Sequence, residues 1–205
     1  MDEKTKKARP STLCVFVFQY SVTFVVMGTI LYGGYYYCHS IPIPRSNDFS
    51  EKLLYAIRYC TFPQAVFLIV AIFMVAAKRA ITQAAVNPLA GNEHLVQAEK
   101  NVLTNTVEQL LCFLLLVLTL ITYLEPSEMR IIPLYSLTFF IGRVFFMIGY
   151  SVGPRYRGAG MYINACLSVF FLGYLIYLIY LRGFMYGILI YSSDPTLTTT
   201  RKYEL

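Results

Sequence analysis

Charge is what this sequence has least of. Aspartate, glutamate, lysine and arginine together make up only 14% of its 205 residues, against about 25% in a soluble domain. No stretch outside its apolar runs is long enough to fold as a soluble domain. The compact signatures of chemistry are missing too: there is no CxxC, GxSxG, HExxH or phosphate loop, and His39 and His94 stand alone. No metal-ligand spacing exists, so no metal site is expected. The five cysteines are odd in number and unpaired. Cys14, Cys112 and Cys166 lie in apolar runs and read as small buried hydrophobes. Cys38 and Cys60 are the two placed to face an oxidising lumen, with a disulfide between them the less favoured reading.

What is present is apolar: 57% of the chain is hydrophobic. Five runs, at 13–37, 53–77, 103–123, 131–150 and 161–181, approach the ~20 residues that cross a bilayer. The first is too long and too aromatic for a signal peptide and no small-residue cleavage site follows it. Pro42 and Pro44 break the chain after the first run. "NPLAGNEH" (87–94) breaks it after the second, where Asn92 could cap the next helix. "EPSE" (125–128) and "SVGPRYRG" (151–158) leave the last two loops short, so neighbouring helices run antiparallel. The fold class read from this is an all-α integral membrane protein with five transmembrane helices.

Cations set the orientation. Lys4, Lys6, Lys7, Arg9, Lys78, Arg79, Lys100, Arg155 and Arg157 fall on one side. Arg45, Lys52, Arg130, Arg182, Arg201 and Lys202 fall on the other. The bias places the N-terminus in the cytosol and the C-terminus in the lumen. The net charge of +6 suits a membrane surface, and nothing else in the chain points to nucleic acid.

Inside the runs, Arg143 is the anomaly, because a guanidinium at mid-helix in lipid costs at least ~3 kcal/mol. Tyr150 shares its face seven residues on, which puts Arg143 about 10 Å deeper. Asn105 and Glu108, three apart on the third run, sit at a similar depth. Glu108 is the one acid within a run, so the expected partner of Arg143 is Glu108, with Asn105 adding a hydrogen bond. Such a pair either orients two helices or lines a polar site, and the residues alone leave both open. Arg58 lies within snorkelling reach of the interface and reads as structural. Lys78, Arg79, Arg155 and Arg157 form a cytosolic-facing basic cluster over the pair, suited to lipid phosphates or to an anionic ligand. The tyrosines of "YGGYYYC" (32–38) and "GYLIYLIYL" (173–181) read as interfacial belts and packing residues. Gly28, Gly33, Gly142, Gly149 and Gly173 read as sites of close helix approach.

The last four runs resemble the MAPEG superfamily, the membrane-associated proteins in eicosanoid and glutathione metabolism. Arg79 stands eight residues before Asn87-Pro88, "NTVE" (105–108) enters the next helix, and "GRVFFMIGYSVGPRYRG" (142–158) carries a Gly-Arg run into a Gly-Tyr and then arginines. The preceding extra run, with "LLYAIRY" (53–59) and "GPRYRGAGM" (153–161), is similar to the mattrin branch. The resemblance divides the chain into a cytosolic segment 1–11, an added helix with a luminal loop 12–50, a MAPEG-like four-helix domain 51–185 and a polar tail 186–205.

The resemblance implies a homotrimer with cytosol-facing clefts between subunits, lined here by Arg79, Asn105, Glu108, Arg143, Tyr150, Arg155 and Arg157. In the family's enzymes that cleft holds glutathione, and Arg157 would take the thiolate-activating place. The departures are Thr104, where the enzymes carry an arginine that Lys100 replaces poorly, Gln109, and Phe146 at a polar ligand contact. They favour a reused scaffold over a working transferase. By resemblance to mattrins, the role would lie in membrane-protein processing, Wnt receptors among the partners, or in secretion. The alternatives are a glutathione-dependent transferase or peroxidase for lipophilic substrates, and a lipid-binding cleft in which Phe146 and Leu103 replace polar contacts. The "KYEL" end (202–205) approaches an endoplasmic-reticulum retrieval address, consistent with residence in that membrane.

Overall fold

The computed structural model describes residues 12–82, 92–153 and 156–186. The N-terminal segment, Asn87-Pro88, Arg155 and the "KYEL" end lie outside the described residues. Among the described residues every regular element is helical: α1 Thr12–His39, α2 Phe49–Ala56, α3 Phe62–Ile81, α4 Gln97–Tyr123, α5 Ile131–Val152 and α6 Gly158–Arg182. A π-turn at Ile57–Thr61 joins α2 to α3 into one span. Among the described residues, five helical spans are long and apolar enough to cross a membrane, so the protein is a multi-pass membrane protein. The 22 residues of α5 reach about 33 Å, close to the thickness of a hydrocarbon core.

Local chemistry sets the helix ends. Asp48 caps α2 by accepting from the Ser50 amide at 3.4 Å. Pro63 sits in the first turn of α3, and its ring would crowd the carbonyl of Tyr59, four residues back. Tyr59 lies inside the π-turn, where the widened backbone relieves that crowding. Gly183, at φ +82°, ends α6 and donates its amide to the Ile179 carbonyl at 2.9 Å.

α2 to α6 make the core, with α5 and α6 packed most extensively. Tyr135 stacks on Phe171 at 3.8 Å, and Phe113 lies between Tyr135 and Phe139 at 4.6 and 4.5 Å. Gln64 donates to the Ser136 carbonyl at 3.0 Å and so ties α3 to α5. α1 lies outside this core, against α5 and α6. Gln19 packs on Gly158, Tyr20 stacks on Tyr162 at 4.6 Å, and Gly34 meets Leu134.

Three expectations change. A Cβ on Gly28, Gly33 or Gly173 would meet nothing within 4 Å, whereas one on Gly160 would strike the Phe146 backbone and one on Gly142 the Asn164 side chain. Gly142, as expected, and Gly160 therefore permit the close α5–α6 crossing, whereas Gly28, Gly33 and Gly173 permit no such contact. Cys60 is buried and free, with its Sγ 3.8 Å from the Ile132 carbonyl. It sits on the bundle-facing side of the π-turn, away from any lumen. Cys14, Cys112 and Cys166 are exposed rather than buried, because an apolar residue in lipid needs no protein neighbour.

Candidate functional site

Lys78, Arg79, Lys100 and Arg157 make one end of the bundle basic, and the candidate site lies beneath them. Arg143 is at the centre and only 1% exposed. Its Nη1 donates to Asn105 Oδ1 at 3.0 Å and reaches the Asn105 carbonyl at 3.5 Å. The Asn164 amide is assigned by hydrogen-bond matching, with its oxygen toward the guanidinium. It accepts from Nε at 2.5 Å and Nη2 at 2.8 Å, and its nitrogen donates to the Phe139 carbonyl at 3.3 Å. The rings of Phe139 and Phe146 cover the guanidinium at 5.7 and 4.8 Å. One cation thus cross-links α4, α5 and α6.

Its partner is not Glu108. Glu108 is exposed, and among the described residues it forms no ion pair. The physical reason is angular. The buried stripe of α4 runs through Val102, Thr106, Phe113 and Val117. Asn105 flanks that stripe, and Glu108 lies about 60° further round. Two amides can replace a carboxylate here because each hydrogen bond to a charged group contributes about 1.5–3 kcal/mol, and a desolvated cation–π contact contributes about 2 kcal/mol.

From Arg143 the contacts run outward to the basic end. Phe146 packs on Tyr150 at 5.9 Å between ring centroids. The Tyr150 hydroxyl accepts from Asn101 Nδ2 at 3.1 Å, and Arg157 lies over the Tyr150 ring at 5.5 Å. Of the residues singled out from the sequence, Asn105, Arg143, Tyr150 and Arg157 therefore belong to one string of contacts. Arg79 stands apart. It lines a groove of about 300 Å³ with Lys100, Leu103 and Thr104. The nearby cations are partly matched: Lys100 pairs with Glu93 at 2.8 Å and Lys78 with Glu99 at 3.8 Å. Phe146 is 1% exposed, so it is a wall of the Arg143 pocket and lines no open cleft.

Sequence reasoning missed Asn101 and Asn164. Asn164 is fully buried, and its signal was visible: an amide within the apolar run "MYINACLSVF" (161–170) needs a buried polar partner as much as Arg143 does.

Comparison with known proteins finds a family match. The family model described as "MAPEG family" matches residues 57–181. Transmembrane protein 79 of Bos taurus is 26% identical over 136 residues, covering 66% of this chain and 34% of the relative. Transmembrane protein 79 of Mus musculus is 26% identical over 131 residues, covering 64% and 33%. The matched region thus spans about a third of the length of these relatives. No solved structure matches.

Proposed function

The chain belongs to the MAPEG family, and on that scaffold we propose a non-catalytic, mattrin-like role: a secretory-pathway membrane protein that acts on the processing of other membrane proteins, Wnt receptors among them, or on secretion. The observation that carries the non-catalytic reading is the bonding of Arg143. The deepest cation of the site spends its Nε, Nη1 and Nη2 on Asn105 and Asn164 and is sealed from solvent. It serves as a helix cross-link and offers no free face to a ligand carboxylate. Thr104 and Phe146 remove two further polar contacts from the place where the family's enzymes hold glutathione. The similarity to Transmembrane protein 79 supports the choice of branch.

The proposed assembly is a homotrimer in the endoplasmic-reticulum membrane, with the basic end in the cytosol. Glu108, Leu111, Leu115 and Leu118 are exposed on one side of α4 in the single chain, and an exposed intramembrane acid favours a covering neighbour over lipid.

Millimolar glutathione added to the detergent-solubilised protein tests the reading, because a bound ligand raises the melting temperature. An unchanged melting temperature is expected. A concentration-dependent rise would overturn the non-catalytic reading in favour of a glutathione-dependent transferase or peroxidase. That second reading draws on the groove beside Arg79 and Lys100 and on Arg157, exposed above Tyr150.

A further inference from the structure

α1 packs along the bundle and leaves a hollow beneath part of its length. At the basic end, Gln19 and Thr23 lie against Gly158 and Ala159. At the opposite end, Gly34 lies against Leu134. Between these contacts Met27 and Leu31 face Ile131, Leu134, Thr138 and Phe171 across a cavity of about 360 Å³. This is the size class of ligand sites. Its walls are almost wholly apolar, and the hydroxyl of Thr138 is already spent on the Leu134 carbonyl at 2.8 Å. Water therefore gains nothing by entering, and an empty hollow forfeits contact along every wall.

Position identifies the occupant. Phe171 lies near the middle of α6 and Ile131 is the first residue of α5, so the hollow runs from mid-bilayer to one interface. The chain neighbour of Ile131 at that interface is Arg130. Its Nε is buried and unbonded, and among the described residues Arg130 enters no ion pair. An apolar slot at acyl depth, with a cation next in the chain to the residue that lines its interfacial end, is complementary to one kind of molecule. We propose that this hollow is a lipid site, in which one acyl chain of a glycerophospholipid fills the space under α1 and its phosphate meets Arg130. The site lies on the α1 side of α5 and α6, apart from the Arg143 cluster, and does not depend on the role proposed above.

The test uses the full-length protein in phosphatidylcholine vesicles. They are doped with a phosphatidylglycerol bearing a diazirine in mid-chain or with a diacylglycerol bearing the same chain. Peptide mapping should place the phosphatidylglycerol label on the segments around Met27–Leu31 and Phe170–Phe171. Filling the hollow with Leu31→Trp, or with Met27→Trp, should remove that labelling. Phe24→Trp, on the exposed face of the same helix, should leave it unchanged. Melting curves identify any filling variant that fails to fold, and the other filling variant then decides. Diacylglycerol should label the hollow less than phosphatidylglycerol, and Arg130→Gln should erase that difference. Labelling spread evenly over the exposed faces, labelling that survives a folded filling variant, or crosslinks between protein copies in place of lipid would overturn the site. Equal labelling by both lipids in the unaltered protein would overturn the phosphate contact and with it the phospholipid assignment.

Discussion

Asn105 and Arg143 meet at 3.0 Å across α4 and α5, and with Asn164 they solvate an intramembrane arginine without a carboxylate. Asn105→Leu or Asn164→Leu should therefore lower stability by about 1–3 kcal/mol each, the cost of leaving buried donors unmatched. Glu108→Leu should cost less than either in the single chain, because Glu108 lies outside this network. Thermal or chemical unfolding in detergent ranks the three. A ranking with Glu108→Leu lowest would restore the carboxylate as the partner.

Removing the charge together with its acceptor should cost less than removing the acceptor alone. An unpartnered buried charge costs about 3–5 kcal/mol, whereas replacing a whole buried polar set by apolar residues is often close to neutral. Arg143→Leu combined with Asn164→Leu should be more stable than Asn164→Leu. A double-mutant cycle gives the coupling energy directly, and a value near zero would refute the cross-link.

The α5–α6 crossing should be intolerant of one methyl group. Gly160→Ala drives a Cβ into the Phe146 backbone, so the helices must part, at a cost of about 1–3 kcal/mol. Gly28→Ala and Gly173→Ala meet nothing within 4 Å and should be neutral or slightly stabilising, through a helix-propensity gain of up to ~1 kcal/mol. Melting temperatures of the three variants check this contrast.

At the end remote from Arg79, Arg182 bonds the Tyr123 carbonyl, pairs with Glu128 at 2.8 Å and with Glu125 at 3.6 Å, and lies 5.2 Å from the Tyr186 ring. This clamp joins the end of α6 to the α4–α5 turn. Its side chain is 12% exposed, against 34% for Lys100, which pairs with Glu93. Arg182→Ala should therefore lower the melting temperature more than Lys100→Ala, whose exposed pair is worth at most ~1 kcal/mol after screening. Added salt should narrow the Lys100 effect first.

By itself the sequence determined five membrane spans, their breaks at Pro42, Pro44 and the Gly153 turn, and the family. Each of these rests on local runs of hydropathy or on motifs carried in order along the chain. It also established that Arg143 needed a partner, since burying a charge in lipid is costly in any fold. The tertiary structure decided which partner. Spacing along α4 puts Asn105 and Glu108 on neighbouring faces, but a rotation of about 60° separates the face that meets α5 from the one that does not. That rotation is fixed by Phe113, Val117 and Leu120 packing inward, together with contacts from other helices. Asn164 was legible only as an amide in need of a partner, and Gly160 and Cys60 were not legible at all, because closeness between helices depends on how their surfaces interlock and not on any one residue's own chemistry.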